Sequence, residues 1–504
     1  MTASLKANAE YRMLSVALSS GVFVVVGAIV GAAFEAGFYL PLVPAVLLMA
    51  TIAIVGIVVA RVSRLSLLPR FLILLYAMPF SALLGYLFSP DFAWVFSPNG
   101  YDIIQDHLVL RQMIAIGTVG LCGLVAGVRA STYRGVRPPR LDVRQPVAAR
   151  TLSAGVYTGL VALSVAISWM SAPAETIFQK AYMTDQAATA AASVNFAAAS
   201  LVSYILLVLL AIDIERDTSA ASRRKKMTVL AIGVAYVVIV LQLLRGDRES
   251  SGLIVALAAL YLTSPIRSLR FKRAPTVIRR RLVKLVLPMA VAVTAYISLG
   301  GARSVLVAGS ETLGIKAIIQ FGLSQNTWTA VLWTNLGTAW EYRHGLLHYK
   351  WGKTYLDYLV SLPPGVITKA FGYERPLEAA QGIVFEDPAG VSAGGLHVVI
   401  APFKNFGMAG ALLVLFLYGC LAGKLERVNS RGTLASRLFW ASTICSGFLW
   451  FWYGDMTFVR ALMVAFIAYW LYRFALSLAW ATQPVPSSFR ALAPVPQLEP
   501  SRGR

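Results

Sequence analysis

The sequence predicts an all-α polytopic integral membrane protein of about 12 transmembrane helices, with one large extracytoplasmic loop containing short helices. Three observations carry that expectation. The chain is 58% hydrophobic and only 13% charged, outside the range of soluble globular domains. Apolar runs long enough to cross a hydrocarbon core of roughly 30 Å recur from end to end. The Lys and Arg residues, 45 against 23 Asp and Glu, gather in alternate connecting segments, which is the positive-inside pattern.

Taken in order, the runs are 13–33, 40–60, 71–88, 111–128, 151–170, 194–213, 228–244, 252–264, 284–300, 397–422, 438–453 and 457–474. The first has no A-x-A-type cleavage site and is followed almost at once by the second, so it reads as a retained span. The eighth is short, and the tenth is expected to break at Ala401-Pro402. Residues 1–300 hold the first nine spans, 301–395 form the large loop, 396–475 hold the last three spans, and 476–504 form a Pro- and Ser-rich disordered tail. Alternation places both termini in the cytoplasm and the large loop outside it.

The net charge of +22 raises nucleic acid as a partner, but its distribution argues for membrane lipids instead. Runs such as Arg223-Arg224-Lys225-Lys226 and Arg279-Arg280-Arg281 read as topology anchors beside anionic headgroups, and no nucleic-acid role is expected. Cys122, Cys420 and Cys445 all fall inside apolar runs, which leaves neither a disulfide framework nor a zinc cluster. His107, His344, His348 and His397 all lie on the outer side or at its edge.

Within the large loop, 313–336 is apolar with Trp328 and Trp333 and predicts a helix lying at the membrane interface. Trp351 to Leu362 predicts a short amphipathic helix stopped by Pro363-Pro364. The segment 374–395, rich in Gly, Pro and acidic residues, predicts a lid.

The strongest chemical signal is Leu244-Arg245-Gly246-Asp247-Arg248-Glu249-Ser250 at the junction of two spans. Ionisable groups at that depth are costly and are either paired or functional. One reading is a self-neutralising cluster capping two helices. The other is a guanidinium site for phosphate, to which Arg245, Arg248 and Arg303 contribute, because Arg presents planar paired donors that fit phosphate oxygens. His397, after Gly394-Gly395 and before Pro402 and Lys404, is either an interfacial hydrogen-bonder or a catalytic group. Glu341, His344 and His348 have a metal-type spacing, but no second cluster supports it and no metal is expected. Tyr342, Arg343, Trp351, Lys353, Tyr355 and Lys404 lie among interleaved aromatic and charged residues. They serve either as an interfacial belt or as a glycan-binding surface.

Three segments together resemble the bacterial oligosaccharide repeat-unit polymerases, the Wzy-type O-antigen polymerases, which are related to the O-antigen ligases. Leu244-Arg245-Gly246 resembles their Ser-Arg-Gly-type element, with Leu244 at the Ser position. Trp351-Gly352-Lys353-Thr354-Tyr355-Leu356-Asp357, followed by Leu362-Pro363, resembles their Gly-x-Thr-Tyr-Leu…Ile-Pro-Arg element, with Pro364 replacing the final Arg. Asn405-Phe406-Gly407-Met408-Ala409-Gly410 is similar to their aromatic-Gly-x-x-Gly segment. The match covers roughly 240–475 by motif and the remainder by topology alone.

The resemblance implies a GT-C-like fold in the bacterial inner membrane and glycosyl transfer from an undecaprenyl-diphosphate-linked oligosaccharide, building O-antigen or exopolysaccharide. The donor is already activated, so no cofactor, nucleotide loop or D-x-D metal site is required. A chain-length regulator protein is admitted as a partner. On this reading Arg245, Arg248 and Arg303 hold the diphosphate, and His397 is the base, with Glu249 and Glu341 as substitutes. The alternatives are an O-antigen ligase acting on lipid A-core and a lipid-linked oligosaccharide flippase or other transporter.

Overall fold

The computed structural model describes residues 2–60, 62, 66–81, 83, 106–131, 151–170, 187–244, 251–263, 327–360, 396–429 and 432–481. These are almost entirely helical and contain no strand ladder. The helices are α1 (Thr2–Glu35), α2 (Leu42–Val59), α3 (Leu67–Ala77), α4 (His107–Ser131), α5 (Ala154–Met170), α6 (Ala187–Arg216), α7 (Ala220–Tyr236), α8 (Ser251–Thr263), α9 (Thr327–Arg343), α10 (Lys353–Val360), α11 (Ile400–Asn429), α12 (Leu434–Cys445), α13 (Gly447–Tyr453) and α14 (Asp455–Ala481). A short 3-10 turn, Pro79–Ser81, follows α3, and a π-helical stretch, Val237–Leu244, extends α7. Every expected apolar run falls at least partly on one of these elements except 284–300, which lies outside the described residues.

Five of the helices contain segments long and apolar enough to cross a membrane: Ser15–Glu35, Leu42–Val59, His107–Ser131, Ile400–Asn429 and Thr457–Leu478. Their packing fits that reading. α4 is the central helix, buried from Val109 to Val128 except at Arg111 and Ala115. Helices around it turn apolar stripes outward, such as Leu18, Val22, Val25 and Ile29 on α1 and Phe466, Trp470 and Phe474 on α14. The spacing is one helical face. An apolar face this long left open matches hydrocarbon rather than water as the surrounding solvent. The chain is a helical membrane protein.

α4 and α11 run parallel and approach backbone to backbone. Gly123 and Gly127 on α4 meet the carbonyls of Leu412 and Phe416, while Gly419 and Gly423 on α11 meet Leu124 and Ser131. A Cβ at any of the four would collide with its neighbour, so two Gly-x-x-x-Gly pairs set the spacing of this helix pair. α1 runs antiparallel to both, since Gly27 faces Cys122 and Leu412 while Gly31 faces Val119 and Met408. α3 is also antiparallel to α4 and α11. The Leu68 amide donates to Glu426 Oε2 at 3.1 Å near one end, and the Tyr76 hydroxyl donates to the Gly117 carbonyl at 2.8 Å near the other. These relative directions agree with alternation of the first, third, fourth and tenth runs.

The end of the bundle near Glu426 is its basic end, and it holds a buried ion-pair lock. Lys226 Nζ lies 2.9 Å from Asp213 Oδ2 and 2.8 Å from Asp217 Oδ2, and the side chains of Lys226 and Asp213 are fully buried. The Tyr472 hydroxyl donates to the other Asp213 oxygen, tying α6, α7 and α14 together. Burial opposes ionisation of Asp217, but hydrogen bonds from Lys226, Ser222 and the Ser219 amide hold its pKa down to about 2. This corrects the reading of Arg223-Arg224-Lys225-Lys226 as a headgroup anchor throughout: the helical turn rotates Lys226 inward while Arg223, Arg224 and Lys225 stay on the surface side. Nearby, Arg437 pairs with Glu215, and the Trp440 indole donates to Glu426 at 2.8 Å.

Candidate functional site

At the opposite end of the bundle, the polar residues of the large loop meet the start of α11. The expected break at Ala401-Pro402 does not occur there. Pro402 sits in the first turn of α11, where no intrahelical donor is needed and its fixed φ is helical. The helix breaks instead at Phe406 (φ −138°, ψ 16°) and Gly407 (φ 65°, ψ −152°). Gly407 takes the left-handed φ that a side chain would resist.

A break in a helix leaves carbonyls without their i+4 donors. Here the large loop supplies them. The Lys350 amide donates to the Lys404 carbonyl at 2.9 Å, and the Trp351 amide donates to the Asn405 carbonyl at 3.1 Å. The Gly352 amide donates to Asn405 Oδ1 at 2.8 Å, while Asn405 Nδ2 donates to the Ala401 carbonyl at 2.7 Å. Tyr355 then stacks on Phe406, ring centroids 6.4 Å apart and planes at 10°. Two of the three segments that carried the family resemblance are therefore clamped against each other.

α9 is not the interfacial helix expected over 313–336. Its described span is Thr327–Arg343, and Val331, Leu332, Asn335, Leu336 and Ala339 are buried, packed against α4 and the turn after α3. It ends where Gly345 turns left-handed (φ 68°), with the Leu346 amide closing back on the Glu341 carbonyl at 2.9 Å. His348 thus lies beyond the helix, and the one-face arrangement of Glu341, His344 and His348 does not form.

Glu341 and Lys404 face each other instead. Lys404 Nζ lies 3.0 Å from Glu341 Oε2 and 3.2 Å from Oε1, with both side chains nearly sealed from solvent. Each had been expected to face substrate, as substitute base and as glycan contact. The structure spends the charge of each on the other. Arg343 pairs with Asp106, and the Tyr342 hydroxyl donates to Glu35 at 3.3 Å while its ring lies on Phe34. Trp351 and Lys353 are exposed, and Tyr355 is half-buried.

His397 is a hydrogen-bonder in the interior of the bundle. It is buried, held between the rings of Tyr76 (4.7 Å) and Phe80 (5.3 Å). Its Nε2 lies 3.1 Å from the Tyr76 carbonyl and so carries the proton, and Nδ1 accepts from the Val399 amide at 3.3 Å. Both ring nitrogens are used in this conformation, which leaves no lone pair for an acceptor hydroxyl. Arg245, Arg248, Glu249 and Arg303 lie outside the described residues, as does the lid segment 374–395. What is described is the approach to the first three, a π-helical widening over Val237–Leu244. Such widenings concentrate at functional sites.

The reading by motif missed a second group at this end. Asp455, the first residue of α14, is buried, and its Oδ1 accepts from the Trp450 indole at 2.9 Å. Tyr355 and Tyr358 of α10 and Tyr418 of α11 lie within electrostatic reach of its carboxylate. The Tyr418 hydroxyl approaches Asp455 and Tyr355. Even so, Asp455 Oδ2 and the Tyr355 hydroxyl close no hydrogen bond of acceptable geometry among the described residues. Burial pushes the Asp455 pKa up to about 6, against the opposing pull of the Trp450 indole and the nearby Tyr418 hydroxyl. A signal was present in Asp455 as an acid between two apolar runs, in a turn too short to solvate it.

Comparison with known proteins gives no matching family model, no matching characterised protein and no matching solved structure. The fold and site define a helical membrane protein whose buried and half-buried polar chemistry is concentrated at the two ends of the bundle.

Proposed function

We propose that the protein is a twelve-span, GT-C-like glycosyltransferase of the bacterial inner membrane. It polymerises undecaprenyl-diphosphate-linked oligosaccharide repeat units at the outer face. The observation that carries this reading is the clamp between Gly352 and Asn405. It joins the Gly-Lys-Thr-Tyr-Leu segment to the Asn-Phe-Gly-Met-Ala-Gly segment across half a hundred residues of chain, which is what a shared site requires of two family-like motifs. The termini face the cytoplasm, and the basic end of the bundle lies on that side.

In the proposed reaction Arg245, Arg248 and Arg303 bind the diphosphate of the donor and stabilise the charge that grows on it. The acceptor hydroxyl oxygen bonds to the anomeric carbon as the carbon–oxygen bond to the diphosphate breaks, and the electron pair leaves on the diphosphate. Trp351, Lys353 and Tyr355 border the path of the glycan. A base must take the acceptor proton. His397 has both nitrogens engaged and Glu341 is tied to Lys404, so neither is free to do so in this conformation.

The test is elongation of undecaprenyl-diphosphate repeat units, purified from cells lacking this protein, by the purified protein in nanodiscs. Arg245→Ala with Arg248→Ala is expected to lower the rate by roughly 100-fold or more. Arg→Lys should fail nearly as badly, because a point charge lacks the fork geometry. Wild-type rates in the double variant would remove the arginines from the mechanism. Deletion in cells should leave core plus one repeat unit; bare core would identify a ligase.

A further inference from the structure

Asp455 and the face of α10 formed by Thr354, Tyr355 and Tyr358 share one property. Thr354 Oγ1, the hydroxyls of Tyr355 and Tyr358, and Asp455 Oδ2 are all buried atoms without a hydrogen-bond partner among the described residues. Thr354, Tyr358 and Asp455 are only 3%, 3% and 4% exposed. Each such group bears a desolvation cost that native structures rarely leave uncompensated. Those of Tyr355 and Tyr358 lie within electrostatic reach of the Asp455 carboxylate, with Thr354 one helical turn before Tyr358, and together they describe a place whose hydrogen bonds are completed by something other than these residues.

The donor and acceptor types identify what would complete them. Three hydroxyls can each give and accept one hydrogen bond, and one carboxylate oxygen accepts only. Neutral hydroxyls and an indole face Asp455 from α10, α11 and α13, through Tyr355, Tyr358, Tyr418 and Trp450. A phosphate would want cations here, whereas a polyol matches an alternation of donors and acceptors among aromatic rings. The Trp450 indole occupies Oδ1, which fixes the carboxylate plane and leaves Oδ2 available.

We propose that this cluster is the acceptor-sugar site and that Asp455 Oδ2 is the catalytic base, an inference that rests on the polymerase reading above. The acceptor hydroxyl gives its proton to Oδ2 as its oxygen bonds to the anomeric carbon, the diphosphate departs with the electron pair of the broken bond, and the proton is then lost to water. Tyr355, Tyr358 and Thr354 hold the neighbouring hydroxyls of the same sugar. A carboxyl raised to about 6 is ionised at neutral pH yet more basic than an ordinary one, which suits a general base.

The test measures elongation of the same purified repeat units across pH. Wild type should lose rate as pH falls through about 6, and Asp455→Asn should lose about 100-fold or more above that pH, with the gap narrowing below it. Tyr358→Phe should raise KM for the acceptor several-fold with kcat little changed. Asp455→Asn keeping a rate within tenfold of wild type at neutral pH, or an acid limb that persists in it unaltered, would overturn the proposal. If Asp455→Asn does not fold, judged by tryptophan-fluorescence melting, Asp455→Glu decides: a shifted acid limb supports the assignment and an unmoved one refutes it. Failure of the wild type itself to elongate would instead refute the polymerase reading, so the two failures are distinct.

Discussion

The two ends of the bundle each bury an acid among tyrosines, and they treat it in opposite ways. At the basic end Asp213 and Asp217 share Lys226, Tyr472 donates to Asp213, and Ser222 and Thr151 donate to Asp217. Only the Tyr157 hydroxyl, beside Asp213, is left unpartnered in that group. At the other end the Trp450 indole donates to Asp455 and the Tyr418 hydroxyl approaches it, while Asp455 Oδ2 and the hydroxyls of Tyr355 and Tyr358 close no hydrogen bond among the described residues. The same residue types thus make a lock where a cation closes the set and an open site where none does. Completeness of hydrogen bonding, more than burial or residue identity, separates the lock from the proposed site.

The sharpest way to break this comparison is to open the lock. Lys226→Met keeps the side-chain volume roughly constant but leaves two buried carboxylates without their cation. Removing one partner of a buried pair costs about 3–5 kcal/mol, and this lysine serves two acids. The variant should melt well below wild type in detergent, with its loss of activity following its loss of folded protein. A melting temperature unchanged within a degree or two would mean that the lock contributes no stability.

The contrast also shows which parts of the molecule are legible in sequence. The apolar runs placed the helices well, because a span must bury or expose apolar surface along its whole length. Their ends were less legible. α14 continues to Ala481 where a disordered tail was expected, and α9 runs on to Arg343, past the expected end at Leu336, while 313–326 lie outside the described residues. Pairings across the bundle were not legible at all. Lys226 read as one of four basic residues in a row, and only the helical turn that carries it inward distinguishes it from Lys225. Glu341 was expected as a substitute base and Lys404 on a belt or glycan-binding surface, yet a linear pattern does not show that the two charges are each other's partner. The surroundings of His397 were not legible for a similar reason, since Tyr76 and Phe80, which enclose it, precede it by more than three hundred residues. The Gly-x-x-x-Gly spacing of α4 and α11 is present in the sequence, but spacing alone does not show which two helices meet.

A finer test exploits the energetic cost of an open site. The Asp455 pKa is raised by burial, so above about 6 the folded state carries an ionised carboxylate it would rather protonate. As pH falls from about 6 toward the unfolded value near 4, the folded form binds the proton first and gains stability. Wild type should therefore melt higher near pH 5 than near pH 8, after allowance for other groups. Asp455→Asn removes the charge and retains an oxygen for the Trp450 indole. It should stabilise the protein at about pH 8 by as much as about 3 kcal/mol, from two pKa units at 1.36 kcal/mol each, and should flatten the pH dependence. Loss of activity together with a gain in stability is the signature of a strained functional group. The corresponding change at the lock has the opposite sign. An Asp455→Asn variant less stable than wild type at about pH 8 would place Asp455 with the lock.

The smallest expected effect sharpens the clamp that brings α10 to the site. Asn405 satisfies the Gly352 amide through Oδ1 and the Ala401 carbonyl through Nδ2, and it is fully buried. Asn405→Ala leaves the Gly352 amide without its acceptor at the start of α10, where no preceding helical turn can replace it. An unsatisfied buried amide costs about 1–3 kcal/mol, and water entering the vacated space would recover part of that. The loss should be local, because the Lys350 and Trp351 amides still reach the α11 carbonyls. Amide exchange over 350–358 should quicken while that of α4 and α6 stays unchanged. Because α10 carries Thr354, Tyr355 and Tyr358, acceptor KM should rise before the protein as a whole loses stability. Faster exchange spread across both ends would mean that the clamp and the lock belong to one cooperative unit, so that disturbing the open end loosens the closed one.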